Sequence, residues 1–262
     1  MHLLTLGRKD VGKRVSKRIN TALRRQVPPK SRADLIDDLI ELHQNKPDFS
    51  ETYLKRMVIT NFGAGHETLA STLTSVLSLL GSHQNVHKTV VEEVRAHSAS
   101  TSYAVAAKLP LMQAAIKEAK RLRPVIGMAL PRRVPKGGLH MHGKLYPAGI
   151  TVGCNPTALH RNEDICGSNP GRYDPARWLD PAAAKDMDTY SLSWGGGSRT
   201  CPGRHLAELM VFKIISALIL HFDITTSVPP EESMPSYFMS MPTGVKVKFV
   251  SQQAVVSAIP GS

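Results

Sequence analysis

The clearest chemical signal in the sequence is a glycine-rich segment around one cysteine, WGGGSRTCPGR over residues 194–204. Three consecutive glycines let the backbone lie flat against a bulky group and adopt positive φ angles. Cys201 comes just before a predicted helix, and the positive end of a helix dipole favours the thiolate form. A lone cysteine is more often a small buried apolar residue. The glycine frame and the flanking Arg199 instead favour a thiolate that supplies one axial bond to a metal held by a cofactor.

A second signal is the segment AGHET over residues 64–68, in the middle of a long helical pattern. Gly63 and Gly65 each cost about 1 kcal/mol relative to alanine inside a helix, so they need a reason. A flat ligand against the helix would supply one, and a close helix crossing is the alternative. Thr68 can bond back to a carbonyl and open the helix locally, with the acid Glu67 beside it.

A third signal is the pair Glu118 and Arg121, which share one face of a predicted helix at a spacing of three residues. Taken alone, such a pair indicates only a surface ion pair of small energetic value. Its meaning therefore depends on the other two signals.

The scaffold that positions these residues is predicted to be mainly helical, with a small β portion. Apolar periodicity and breaker residues predict helices over residues 9–25, 34–42, 50–80, 84–97, 110–124 and 204–222. Ser50 is the expected N-cap of the long helix, and Gly81 its expected stop. Short strands are predicted at 139–142, 150–152, 222–226 and 245–250. Residues 161–203 are predicted to be mostly loop, and a loop of that length usually carries function.

Composition excludes several classes of protein. The chain has 262 residues, of which 42% are hydrophobic and 21% charged, so a dominantly disordered state is excluded. Three cysteines are too few for a disulfide scaffold in a chain of this length, which favours a reducing compartment. The sequence has neither a signal-peptide pattern nor eighteen consecutive apolar residues. We therefore predict an intracellular location without a transmembrane anchor.

The net charge of +12 is concentrated at the start of the chain, because residues 1–30 hold nine Lys or Arg residues and one Asp. Such a basic head is compatible with an anionic partner surface. The alternative is a solvated amphipathic helix, since an apolar residue recurs every fourth position at Val11, Val15, Ile19 and Leu23. No nucleic-acid motif accompanies the charge, so no nucleic-acid partner is expected.

Together, and in this order, these motifs resemble the cytochrome P450 superfamily. The family pattern A/G-G-x-D/E-T matches residues 64–68, and ExxR matches Glu118 to Arg121. The pattern F-x-P-x-R-F/W corresponds to residues 173–178, with Tyr173 first. The pattern F-x-x-G-x-R-x-C-x-G matches residues 194–203, with Trp194 in place of the usual Phe. Residues 133–138 and 155–161 are most similar to fungal enzymes of the pisatin-demethylase type.

The resemblance implies a haem b cofactor whose iron takes the Cys201 thiolate as its axial ligand. It implies that Arg199 reaches a haem propionate, with Arg133 as a further candidate for this role. Trp194 is implied to pack beside the thiolate and tune it.

On the distal side of the haem, the resemblance implies that Glu67 and Thr68 relay protons towards dioxygen, and that Gly65 leaves room for it. It assigns Glu118, Arg121 and Arg177 to a buried structural ion network that supports the cysteine loop.

The expected domain is residues 1–262, the C-terminal part of the cytochrome P450 fold without its N-terminal sheet and helices. Its expected parts are the basic head (1–30), the long distal helix (50–80), the ExxR helix (110–124), the haem-thiolate loop (194–204) and a tail (251–262).

The implied function is a haem-thiolate monooxygenase that inserts oxygen from dioxygen into a small organic substrate of fungal secondary metabolism. Electrons would come from a donor of the NADPH–cytochrome P450 reductase type, and many family members lie on the endoplasmic reticulum membrane. Two alternatives stay open at this point: a truncated remnant that binds haem but is inactive, and a basic protein that binds an anionic surface.

Overall fold

The computed structural model describes residues 13–14, 16–21, 24, 34–97, 102–229 and 235–251. Within this part of the chain, the protein is mainly helical with small antiparallel sheets, as the sequence predicts. The chain divides into two compact units, one ending at Glu67 and the other beginning at Thr68.

The first unit is organised by helix α1 (Leu35–Asn45) and the start of helix α2 (Glu51–Ser82). A capping box starts α1, since the Asp34 side chain accepts hydrogen bonds from backbone N–H groups and the Asp37 side chain accepts one from the Asp34 N–H. Ser50 caps α2 as predicted, because its hydroxyl accepts from the Tyr53 N–H at 3.2 Å. The unit has its own small apolar core: Ile19, Leu39, Ile40, Leu54 and Val58.

Part of the predicted basic head lies in this unit. Residues 16–21 are helical, with Ile19 buried and Lys17 and Arg18 exposed. The amphipathic helix over residues 9–25 stays a prediction, because only part of it lies within the described residues. Val11, Val15 and Leu23 fall outside the described residues, as does most of the 251–262 tail.

The predicted stop at Gly81 is wrong, because α2 continues through Gly81 to Ser82. A Cβ at Gly81 would lie 2.7 Å from the Thr226 side chain, closer than real Cβ contacts allow. Thr226 also donates a hydrogen bond to the Ser78 carbonyl at 2.7 Å. The glycine therefore serves the close approach of a strand to the helix, not the end of the helix.

The second unit is built around four helical segments with one shared apolar core. These are the last part of α2, α3 (Gln84–Ala96), α5 (Pro110–Leu122) and α9 (Arg204–His221), with the short helix α4 (Tyr103–Ala106) alongside. The largest fully buried side chains of this core are Val76, Leu80, Val90, Met112, Ile116, Ile215, Ile219 and Ile224. This packing holds α5 and α9, which flank the candidate site, in fixed positions.

Among the described residues, the second unit also contains three two-stranded antiparallel sheets. Strand β1 (Leu130–Arg133) pairs with β4 (Thr151–Cys154), β2 (Leu139–Met141) with β3 (Lys144–Tyr146), and β5 (Phe222–Ser227) with β6 (Lys246–Ser251). The sequence did not predict β1 or β3. His142, predicted to end a strand, forms with Gly143 the two-residue turn of the β2–β3 hairpin. Both residues have positive φ, as such hairpin turns require.

The predicted loop over residues 161–203 contains more structure than expected. After α6 (Pro156–Leu159) come α7 (Glu163–Cys166), a 3₁₀ turn over Pro175–Trp178, α8 (Pro181–Thr189) and a second 3₁₀ turn over Gly197–Arg199. Asp180 caps α8 by accepting from the Ala182 N–H, and Pro181 occupies its first turn. This start signal was present in the sequence but was missed among the surrounding Gly, Pro and Asp residues.

Candidate functional site

The structure brings Glu118 and Arg121 together in the interior of the second unit. Their side chains are 0% and 3% exposed, and the contact is bidentate: Arg121 donates from Nε to Oε2 and from Nη2 to Oε1, both at 2.8 Å. Burial by itself lowers the pKa of Arg121, but the hydrogen bonds and charge of Glu118 outweigh burial and raise it above its ordinary value. Arg121 is therefore a permanent buried cation.

Arg177, from the 3₁₀ turn, approaches the same carboxylate. Its Nε donates to Glu118 Oε1 at 2.9 Å. Two further donors were not singled out from the sequence: the Trp178 indole N–H bonds Oε2 at 2.8 Å, and the Asp174 backbone N–H bonds Oε1 at 3.0 Å. Glu118 thus accepts five hydrogen bonds, three on one oxygen and two on the other. The F-x-P-x-R-F/W pattern contained the signal for Trp178, because it marks that aromatic position.

The two arginines also donate to backbone carbonyls of the segment that precedes the cysteine loop. Arg121 Nη1 bonds the His160 carbonyl and Arg177 Nη1 bonds the Cys166 carbonyl, both at 2.6 Å. Segment 160–177 is thereby fastened to α5 by charge-assisted hydrogen bonds. The hydrogen-bond partners described for Glu118, Arg121 and Arg177 are all protein groups, as expected for an internal ion network.

The cysteine loop has the opposite character. Cys201 and Arg199 are both exposed, and Arg199 makes no hydrogen bond or ion pair with the described residues. The backbone, in contrast, is held firmly, because the Cys201 N–H donates to the Trp194 carbonyl at 2.8 Å. Gly195 has φ +75°, and a Cβ there would lie 3.3 Å from the Arg199 carbonyl oxygen. The glycine therefore permits the tight fold of the loop.

This donor set fits a thiolate-ligated haem. The Cys201 thiol is accessible on a fixed backbone, and the exposed guanidinium of Arg199 lies two residues away. The next glycine, Gly203, leaves the sulfur uncrowded, since even an added Cβ there would be 3.9 Å from Sγ. One accessible soft ligand beside an unpaired cation suits a metal in an anionic porphyrin.

Trp194 lies on the side of the loop that faces α5. The Lys120 ammonium is 4.8 Å from the centroid of its ring, a cation–π contact. Lys120 was not singled out from the sequence, because nothing in the pattern indicates that it meets a residue 74 positions later.

Arg132, next to the predicted Arg133, contacts the cysteine loop directly. Its Nη2 donates to the Gly196 carbonyl at 3.2 Å. Successive residues of a strand point to opposite faces, so Arg133 on the same strand is directed elsewhere, and its Nη2 is 3.8 Å from the Cβ position of Gly149. The structure therefore adds Arg132 to the candidates that support the loop, and the propionate role of Arg133 stays a prediction.

The residues predicted for the distal side lie on α2, which is helical without interruption across Gly63 to Thr68. Gly63 and Gly65 are exposed, and a Cβ added at either meets no described atom within 4 Å. Thr68 and Glu67 are half-buried, and the Thr72 hydroxyl bonds the Thr68 carbonyl at 2.9 Å. This segment has the open surface that a flat ligand would need, and its predicted roles stay predictions.

With this geometry in view, the comparisons with known proteins agree on one family. The cytochrome P450 family model matches residues 7–249, so the chain belongs to the cytochrome P450 family. None of the helices in the described part of the chain combines the length and apolar character needed to cross a bilayer.

The chain is also similar to named fungal members of this family. It is 46% identical to cytochrome P450 monooxygenase sdnT of Sordaria araneosa, over 91% of this chain and 48% of that protein. It is 34% identical to pisatin demethylase of Fusarium vanettenii, over 70% and 36% respectively, as the resemblance in sequence predicted. It is 31% identical to cytochrome P450 monooxygenase gsfF of Penicillium aethiopicum, over 83% and 45%. The chain spans about half or less of the length of these relatives.

Proposed function

We propose that this chain carries the haem-thiolate half of a cytochrome P450 monooxygenase that oxidises a small organic molecule of fungal secondary metabolism. The observation that carries the proposal is the exposed Cys201 on a backbone fixed by Trp194, beside the unpaired Arg199. The names of the fungal relatives support the reaction class. The electron donor would be a flavoprotein of the NADPH–cytochrome P450 reductase type, and the co-substrate dioxygen.

Haem b, when bound, supplies the oxygen-activating chemistry. The work of this chain's own residues is to hold and tune it. Cys201 would hold the haem iron through its thiolate, and Arg199 would neutralise a propionate. Trp194 fixes the loop through its carbonyl, while Arg132 holds Gly196 from the neighbouring strand.

Proton delivery is assigned to Glu67 and Thr68 on α2. Glu67 would exchange protons with solvent, and the Thr68 hydroxyl would pass them on at the distal face. Gly65 would leave the space that dioxygen needs. Glu118, Arg121 and Arg177 would take no part in proton transfer, because their polar atoms are occupied by one another and by backbone groups.

Replacing the hydroxyl of Thr68 tests the proton-delivery assignment. In the haem-loaded, reductase-coupled enzyme, we expect Thr68→Ala to leave haem bound but to divert NADPH consumption from product to hydrogen peroxide. The loss of coupling should be about tenfold or more, within the usual contribution of a positioned proton donor. The measurement is peroxide formed per NADPH oxidised.

The matched control is Thr72→Ala, one helical turn further on, whose hydroxyl bonds a backbone carbonyl. It should leave coupling near the wild-type value. Unchanged coupling in Thr68→Ala, or equal uncoupling in both variants, would count against the relay.

A further inference from the structure

A cavity of about 410 Å³ lies next to the cysteine loop in the second unit. Its walls come from α5, from segment 159–166, from α8 with the residues that lead into the loop, and from the start of α9. A cavity of this size is large enough for a small organic ligand. Both tryptophans of the chain, Trp178 and Trp194, line it.

The charges on the cavity wall do not balance. The two carboxylates that line it are already paired, Asp188 with Lys117 at 2.6 Å and Glu208 with Arg204 at 3.1 Å. Lys120 also lines the cavity, is half-buried, and has no carboxylate partner among the described residues. The Lys120 ammonium lies over the face of the Trp194 ring. Among the described residues, Lys120 is therefore the cation of the cavity wall that has no carboxylate partner.

His160, which also lines the cavity, has a ring N–H without a partner among the described residues. His160 is 4% exposed, and its Nε2 accepts the Leu192 N–H at 2.8 Å, so the proton of the neutral ring is on Nδ1. This Nδ1 is buried and has no partner in the part of the chain that the structure describes. A buried donor without an acceptor is costly, so such groups normally have a partner. Burial holds the pKa of His160 down to about 4, so the ring itself is neutral near pH 7.

We propose that this cavity is a binding site for a small oxyanion, a carboxylate or a phosphate. The anion would balance the charge of the Lys120 ammonium and accept a hydrogen bond from it. The site is independent of the haem assignment, since it consists of the chain's own side chains. Because Trp194 forms part of the wall and its carbonyl holds the Cys201 N–H, an occupied cavity would brace the cysteine loop.

The tryptophans make the proposal directly testable, because both lie on the cavity wall. The experiment titrates the full chain with sodium acetate at constant ionic strength and follows tryptophan fluorescence. Acetamide, which is neutral and of nearly the same shape, is the matched ligand control. Inorganic phosphate in a separate titration distinguishes a phosphate site from a carboxylate site. We expect a saturable change with acetate, phosphate or both, and none with acetamide.

Variants of Lys120 test the role of its charge. Lys120→Met should weaken the apparent affinity by about tenfold or more, because a charge-assisted hydrogen bond is lost. Lys120→Arg keeps the charge and should retain binding, which separates a charge effect from a folding defect. Lys185→Met, an exposed position of α8 outside the cavity, should leave the affinity unchanged.

The pH dependence gives an additional check. Burial lowers the pKa of Lys120 to about 8; Glu208 and Asp188 raise that pKa, whereas Arg204 and Lys117 lower it. Acetate affinity should therefore fall as the pH rises through about 8, where the ammonium loses its proton. An equal response to acetamide, a response that Lys120→Met retains in full, or no saturable response to either anion would overturn the proposal.

Discussion

The Glu118 network and the cysteine loop lie in the same unit of the molecule and use the same kinds of polar group in opposite ways. In the network, the buried carboxylate of Glu118 accepts five hydrogen bonds. Both arginines also donate hydrogen bonds to backbone carbonyls. In the loop, the backbone is bonded, but the Cys201 thiol and the Arg199 guanidinium are exposed. Saturated polar groups hold a structure in place, whereas unsaturated groups on a rigid backbone are available for chemistry.

The largest expected effect comes from removing the charge at the centre of the network. Glu118→Gln leaves the buried Arg121 and the partly buried Arg177 without a counter-charge, which should lower the free energy of unfolding by about 3–5 kcal/mol. Urea denaturation measures this. The control is Glu92→Gln on the exposed face of α3, with an expected change below about 0.5 kcal/mol. A loss below about 1 kcal/mol in Glu118→Gln would show that the network is not structural.

A smaller effect is expected from pH. Because burial lowers the pKa of His160 to about 4 from an ordinary 6.5, the unfolded chain binds a proton there before the folded chain does. The stabilising contribution is present above pH 6.5 and is lost as the pH falls towards 4. Between pH 7 and pH 5, His160 should account for about 2 kcal/mol of lost stability.

The measurement is the difference between wild type and His160→Gln in urea denaturation at the two pH values. The glutamine side chain can still accept the Leu192 N–H but does not titrate. The variant should lose less stability than the wild type on acidification. Equal losses would place the pH dependence on other groups.

The smallest expected effect concerns a single donor to the network. Trp178→Phe removes the indole N–H that bonds Glu118 Oε2, while Arg121 still bonds that oxygen. The free energy of unfolding should fall by about 1 kcal/mol. Trp194→Phe, which gives the loop the more usual residue of its family, should cost less, because that indole N–H bonds no described residue. The reverse order would mean that the loop aromatic matters more to stability than the network.

Much of the scaffold could be predicted because its signals are local. Apolar periodicity located α2, α3, α5 and α9 to within a few residues, and Ser50 was recognisable as a cap. Helix α8 was missed because its Asp-Pro start lies among turn-forming residues. Gly81 was wrongly predicted to end the helix, because the glycine is needed for the close approach of Thr226, a residue 145 positions later.

The same distinction applies to the candidate site. The motifs singled out Glu118, Arg177 and Cys201. Two of the five hydrogen bonds that Glu118 accepts come from a backbone N–H and an indole N–H, which only the fold brings close. The contact of Lys120 with Trp194 and the isolation of His160 Nδ1 also depend on tertiary packing, which no periodicity reports. The cavity they line was therefore invisible in the sequence.

The central claim is that Cys201 is the thiolate ligand of haem, and the most direct test is an absorbance difference spectrum of the haem-supplemented chain, reduced and exposed to carbon monoxide. The control is Cys154→Ala, since Cys154 is the other exposed cysteine. We predict a thiolate-type Soret shift in the wild type and in Cys154→Ala, and its loss in Cys201→Ala. A thiolate-type spectrum that survives in Cys201→Ala, or no haem uptake by the wild-type chain, would contradict the account.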